Sequence, residues 1–514
     1  YNAYNAAVQR NGRPTVVLAQ TIKGYGLGEA GEGRNVTHKQ KELNEQELRE
    51  FRSRFGIPID DDKVASAPFY KPADETEEIT YLRSRREELG GFLPERRAEH
   101  TDLPEVPEKA FEKYKSGSEE RDVATTMVAV QLLGDLLSDK AFGAHVVPII
   151  PDEARTFGLE ALFRQAGIYA HGGQKYDPVD QESLLFYNEQ SDGAILEEGI
   201  SEAGSLSSFI AAGTSYATHG IPMIPFFLFY SMFGFQRVGD LIWAAADIRA
   251  RGFLIGGTSG RTTLPGEGLQ HQDGNSHALA MTLPNVRAYD PTYAYEVAAI
   301  IRHGISQMYD EGKDLIYYVT VMNEKYPMPP EPDGATDGIL RGLYKVRGAQ
   351  KKAQVQLAAS GAILPEAVRA AELLDEKFSV QADVLSATSW KALYDDGMRV
   401  ERENRLHPGR KAATPYVTQT FGDLPVVAAT DYIRAVPLSV AAWVPGGMTA
   451  LGTDGFGQSD NRTALRAHFE VDAAHIAFAA LTVLHDRGEL EKKQLRSAVK
   501  DLGIDSDAPF SADV

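Results

Sequence analysis

The chain has 514 residues, 43% apolar and 24% charged, a make-up that fits an ordinary globular protein of about three domains. Its 72 acidic against 53 basic residues give a net charge of −19, which argues against nucleic acid or an anionic membrane surface as the main partner. The absence of cysteine excludes a disulfide framework, a thiolate nucleophile and a cysteine zinc site.

No uninterrupted apolar run reaches the ~18 residues of a membrane-spanning helix, and no basic-then-apolar signal segment opens the chain, so the expected location is cytoplasmic. The first residue is Tyr1 rather than methionine, and YNAYNAAVQRNGRPTVVLAQTI reads as a short helix running into a strand. The expectation is therefore the C-terminal part of a longer polypeptide.

In chain order, the β-rich TVVLAQTI run predicts a strand ending near Ile22. Gly26, Gly28 and Gly31 then satisfy a G-x-G-x-x-G spacing, but a dinucleotide site needs an apolar helix directly afterwards and polar residues follow instead. A mobile polar loop with Lys23 and His38 at its edges is the better reading. Charged helices are predicted over Asn44 to Phe55 and around Tyr81 to Leu89, and the proline-rich LPERRAEHTDLPEVPEK reads as a linker.

The middle region alternates apolar runs with helical patterns: strands at Val146 to Pro151, Met223 to Tyr230, Phe253 to Ile255 and Tyr317 to Val321, and helices at Ser201 to Tyr216 and Arg237 to Arg249. Short continuous apolar runs between helices predict a parallel sheet covered on both faces. After a second proline-rich linker, Tyr326 to Gly338, the rhythm resumes with strands at Val355 to Ala358, Val384 to Ser386 and Val426 to Ala429 and helices at Glu366 to Phe378 and Ala473 to Arg487. The fold class is α/β. P-loop, H-E-x-x-H and G-x-S-x-G motifs are absent.

Three segments of the middle region place polar groups where an apolar strand stops. PIIPDEARTFG brings Asp152, Glu153 and Arg155; MIPFFLFYSMFGFQR brings Tyr230, Phe233, Phe235 and Arg237; the loop GGTSGRTTLPGEGLQHQDG, Gly256 to Gly274, brings Arg261, Glu267, Gln270, His271 and Asp273. Parallel strands align their carboxyl ends, so the three clusters should meet in one crevice. The alternative is three unrelated solvated loops. Glu202 opens a helix of small and apolar residues, where a carboxylate either complements the helix dipole or, if desolvated, shares a proton with a ring nitrogen. Tyr230 and Phe233 lie beyond their strand, where an aromatic face could stack on a planar ring.

At these residues the chain resembles the homodimeric-type pyruvate dehydrogenase E1 component family, thiamine-diphosphate enzymes of transketolase-like fold. TIKGYG at Thr21 to Gly26, PDEARTFG, ILEEGISEAG, YSMFGFQR, GRTTLPGEGLQHQDG, YDPTYAYEVA and LGTDGFGQSD carry the resemblance in order, over essentially the whole chain. It implies parallel-sheet cofactor-binding domains followed by a C-terminal α/β domain. Residues 1–93 would finish the diphosphate-binding domain, 94–330 would form the pyrimidine-binding domain and 331–514 the transketolase-like C-terminal domain.

The same resemblance implies thiamine diphosphate and Mg2+ as cofactors, with the metal and diphosphate ligands upstream of Tyr1. It also implies pyruvate as substrate, the lipoylated E2 dihydrolipoamide acetyltransferase as partner, and a homodimer. Glu202 matches the glutamate that bonds the pyrimidine ring, and Phe233 the ring that stacks on it. Tyr230 and His271 match residues beside the substrate, with Glu267, Asp152 and Glu153 nearby. His38 matches a mobile-loop histidine linked to acetyl transfer onto lipoamide, and Lys23 is an expected anion contact. Two other readings remain at this point: a related enzyme for another 2-oxo acid or for sugar phosphates, and a non-catalytic assembly module.

Overall fold

The computed structural model describes residues 1–9, 11–39, 42–92, 100–119, 121–152, 154–179 and 187–513. These fall into two compact units, Tyr1–Glu95 and Arg96–Val514.

In the first unit the β-rich run around Val16 forms no strand among the described residues. Val16 and Leu18 are 79% and 92% exposed, because β-propensity supplies no structure without a neighbouring edge to pair with, and the unit offers none. The glycine series folds into 3-10 turns, Gly28–Ala30 and Asn35–His38, not into a helix. The helix Glu45–Phe55 follows, opened by a capping box in which Asn44 accepts from the Glu47 N–H and the Glu47 side chain accepts from Asn44. Gly26 lies so close to this helix that a Cβ there would stand 2.5 Å from Phe55 Cζ. A second helix spans Glu77–Glu88. Val64 is the only buried apolar side chain among the unit's described residues, so the unit has almost no core of its own.

The second unit is built on two sheets. The first holds β1 (Val146–Ile150), β2 (Leu196–Glu197), β3 (Ile224–Tyr230), β4 (Gly252–Gly257), β5 (Val286–Tyr289) and β6 (Ile316–Thr320), in the order β2-β1-β3-β4-β6-β5. All pairings are parallel. Alternation along each strand divides the apolar residues between two cores: Phe226, Leu228, Phe253, Ile255, Tyr317 and Val319 face one, and Phe227, Phe229, Leu254, Ile316 and Tyr318 the other. Both faces are dry, which is why these strands read as continuous apolar runs.

The second sheet holds β7 (Tyr344–Arg347), β8 (Val355–Ala359), β9 (Ala382–Ser386), β10 (Val426–Ala429) and β11 (Met448–Leu451), in the order β7-β9-β8-β10-β11. Only β7 runs antiparallel. Its inner residues Leu357, Val384 and Val427 belong to the same core as Phe226 and Ile255, so one apolar core passes from the first sheet to the second. A buried polar joint reinforces it: Glu296 accepts from the N–H groups of Thr292 and Tyr293, from Tyr344 Oη at 2.6 Å and from Ser386 Oγ at 2.7 Å.

The stretch Arg462–Asp486 has the length and apolar content of a membrane span. It is two helices, Arg462–His468 and Ala473–Asp486, separated by a turn at Glu470, and Leu465, Ile476, Ala480, Leu481 and Leu484 enter the core, which accounts for the composition.

Candidate active site

The parallel register brings the carboxyl ends of β1, β3 and β4 to one edge: Ile149 pairs with Phe227 and Tyr230 with Gly257. At that edge three rings meet. Tyr230 lies 5.6 Å from Phe233 and 5.3 Å from His271, and Phe233 lies 5.3 Å from His271. The Tyr230 hydroxyl donates to Thr156 Oγ1 at 3.2 Å and its ring packs 5.5 Å from Phe157, which ties the segment after β1 to the same point. Arg237 places its guanidinium 4.0 Å over the Phe233 ring, a cation–π contact.

His271 Nδ1 is buried and has no hydrogen-bond partner among the described residues; the Glu267 carboxylate stands 3.9 Å away, beyond hydrogen-bond reach. Phe233 is 9% exposed, while Arg237 and Glu267 reach solvent. Rings, an imidazole and a carboxylate thus line an edge that is apolar beneath and open above.

Glu202 begins the helix Glu202–Gly213, capped by Ser201, whose hydroxyl accepts from the Gly204 N–H at 3.1 Å. This helix packs on β3 and β1 and leaves Glu202 9% exposed, a position where its carboxylate faces the positive helix end with little water. Asp152 follows β1 at the surface. Glu153 lies outside the described residues.

One carboxyl group at this edge was not singled out by the sequence reading. Glu197 ends β2, level with Ile150, and burial first, then the neighbouring Asp152 charge, push it up to about 7. A hydrogen bond from the Tyr187 hydroxyl pulls the other way. The signal was present: ILEEG is a fourth apolar run ending in carboxylates, but too short to register as a strand.

The loop Gly256 to Gly274 divides into two kinds of residue. Arg261 and Asp273 are buried anchors instead of groups facing an open site. Arg261 Nη1 donates to Thr453 O, and burial lowers its pKa. Asp273 accepts from Ser231 Oγ, from Gln236 Nε2 at 2.7 Å and from the N–H groups of Asn275 and Ser276. Neighbouring Thr262 donates through N–H and hydroxyl to Asp431, whose carboxyl is pushed up to about 7 by burial. Of the loop's titratable residues, His271 packs against the rings, and Glu267 stands beside it, largely in solvent.

In the first unit, Lys23 and His38 meet: Lys23 Nζ lies 2.6 Å from His38 Nδ1, and both side chains are exposed. The backbone closes this loop through the Gly33 N–H donating to Lys23 O at 2.9 Å, and Gly24 adopts φ +74°, where a Cβ would strike Gly31 O at 2.7 Å.

The chain is similar to known proteins over nearly all of its length. The family described as pyruvate dehydrogenase E1 component middle domain matches residues 101–329, and the transketolase-like C-terminal domain family matches residues 342–472. The pyruvate dehydrogenase E1 component of Pseudomonas aeruginosa is 52% identical over 98% of this chain, and that of Mycobacterium tuberculosis is 48% identical over 98%. The chain spans 58% and 55% of those two relatives. Among solved structures, transketolase from Campylobacter jejuni superposes with a TM-score of 0.61 at 16% identity, covering 94% of this chain and 65% of that one, a likeness of fold alone. Over the span it covers, the chain is similar to the pyruvate dehydrogenase E1 component family, and it has a transketolase-like fold.

Proposed function

We propose that the chain is the larger part of a pyruvate dehydrogenase (acetyl-transferring) E1 component, which decarboxylates pyruvate with thiamine diphosphate and reductively acetylates lipoyl groups of the E2 dihydrolipoamide acetyltransferase. The observation that carries this reading is the meeting of Tyr230, Phe233 and His271 at the carboxyl edge of the parallel sheet. Identity near one half with proteins of that name supports it. In this reading residues 1–93 complete the diphosphate-binding domain, 94–330 form the pyrimidine-binding domain and 331–514 the C-terminal domain. The protein works as a cytoplasmic homodimer, away from nucleic acid and membranes.

The described residues fit the pyrimidine half of the cofactor: Phe233 offers an aromatic plane and Glu202 a largely buried carboxylate acceptor. They do not fit the metal, since no group of three or more acidic or histidine side chains among them could hold an ion. This reading places the Mg2+ and diphosphate ligands on segments that the relatives carry outside this span. When bound, thiamine diphosphate supplies the electron sink for loss of carbon dioxide.

The chain's own residues do the rest. Glu202 offers its carboxylate as a hydrogen-bond acceptor to the pyrimidine ring, Phe233 fixes the ring plane, and Tyr230 and His271 orient the 2-oxo acid over an apolar floor that keeps water away. Glu267, Asp152 and Glu153 set the charge around them. Lys23 serves as an anion contact, and His38 serves acetyl transfer onto lipoamide. The test is carbon dioxide release from pyruvate and longer 2-oxo acids by a protein carrying, besides this chain, the remaining length that the relatives have. A preference for pyruvate of about tenfold or more in kcat/KM is expected. Glu202→Gln should lower turnover by about 100-fold. Equal rates on the longer acids, or a Glu202→Gln protein at full turnover, would sink the reading.

A further inference from the structure

Among the described residues, none makes a hydrogen bond to the His271 ring. Its buried Nδ1 has no partner among them, Glu267 stands 3.9 Å away, and the rings of Tyr230 and Phe233 pack against it. Its place is therefore set by the backbone on either side, and that backbone is fastened to the C-terminal domain. On one side the Gly266 N–H donates to Asp460 O at 3.0 Å. On the other, Gln272 is 1% exposed, and its Oε1 accepts from the Gln458 N–H at 2.8 Å while its Nε2 reaches back to Leu264 O at 3.5 Å.

Gly457 completes the clamp. A Cβ on it would lie 2.8 Å from Gln272 Cβ and 3.0 Å from Leu269 O, so this turn presses directly on the arc that carries His271. Glutamine suits the position because one buried side chain both accepts from the C-terminal domain and donates to its own loop.

We infer that Gln272, gripped by Gly457 and Gln458, is the positioning residue for His271, and that the C-terminal domain acts on the reaction through this contact. The inference rests on the reading of His271 as a substrate-facing group. Gln272 touches no substrate itself; it acts through the place it gives the imidazole. A displacement of His271 by about an ångström is enough to cost up to ~100-fold in rate.

The experiment measures pyruvate decarboxylation and thermal midpoints for a protein carrying, besides this chain, the remaining length that the relatives have. The variants are His271→Ala, Gln272→Ala, Gly457→Ala and the Gln272→Ala/His271→Ala pair. Gln272→Ala and Gly457→Ala should each lower kcat/KM about tenfold with the midpoint little changed. Once His271 is gone, removing Gln272 should cost less than about twofold more, because coupled residues do not add. Gly457→Ala approaches the same contact from the other domain, so a folding failure of one variant leaves the other to decide. Full activity of His271→Ala overturns the functional reading, and the inference with it. If His271→Ala is impaired while Gln272→Ala and Gly457→Ala are not, or if the losses simply add, the inference alone is overturned.

Discussion

Glu197 shows how position in a sheet changes the chemistry of one side chain. In water its carboxyl would be ionised at neutral pH; at the end of β2, burial and then the Asp152 charge raise it to about 7. The folded state thus holds this proton more tightly than the unfolded chain. The resulting stabilisation is complete below the ordinary value of 4.5 and is lost as pH rises to about 7. Glu197→Gln removes the ionisation, so the thermal midpoint of the variant should gain on that of the parent between about pH 4.5 and 7 and run parallel above that range. Parallel curves throughout would mean that Glu197 ionises normally. Asp290, pushed up to about 6 chiefly by burial, and Asp431 slope the parent curve in the same direction, so only the difference between the two proteins isolates Glu197.

The loop between β4 and the segment at Gly274 is where sequence and structure part company. Its titratable residues looked alike in one dimension, yet Arg261 and Asp273 turn inward as anchors, His271 packs against the rings and Glu267 stays largely in solvent beside it. A sequence names a charged side chain but not the face it presents, and here the face is decided by distant partners: Thr453, 192 positions downstream, for Arg261, and Ser231 and Gln236, 42 and 37 positions upstream, for Asp273. Most strands were legible because both faces are apolar. β2, β5, β7 and β11 were not: Leu196–Glu197 is only two residues, Val286–Tyr289 carries Arg287, Tyr344–Arg347 carries Lys345 and Arg347, and Met448–Leu451 is short and half-exposed. The strand expected near Val16 failed for the opposite reason, propensity without a partner. Two glycines of the loop test its anchoring. Gly260 adopts φ +83° and a Cβ there would lie 2.1 Å from Asp431 Oδ2, whereas Gly266, at φ +74°, faces open space. Gly266→Ala should cost only the backbone strain, about 1 kcal/mol. Gly260→Ala must also displace the carboxylate that Thr262 donates to, so its thermal midpoint should fall well below that of Gly266→Ala; equal midpoints would show that the Asp431 contact is dispensable.

At the scale of the molecule, the chain holds an aromatic plane and a buried carboxylate on a well-packed edge, but no cluster of metal-binding side chains among the described residues. Binding free energy for a doubly charged diphosphate comes mainly from a metal and from backbone donors, while a pyrimidine ring alone contributes one stacking contact and one or two hydrogen bonds. A chain with only the ring-binding groups should therefore hold the cofactor too weakly for its stability to respond. Adding thiamine diphosphate and Mg2+ to this chain should leave its thermal midpoint unmoved. The same addition to a longer protein, carrying the remaining length that the relatives have, should raise the midpoint. A ligand at about 100 times its Kd stabilises by about 2.7 kcal/mol, which a thermal scan resolves readily. A rise of that size in the isolated chain would place diphosphate binding within these 514 residues and would reassign the metal to side chains that lie far apart here. Separate additions of thiamine and of Mg2+ complete the measurement, because a response to the metal alone would report a site unrelated to the ring-binding edge.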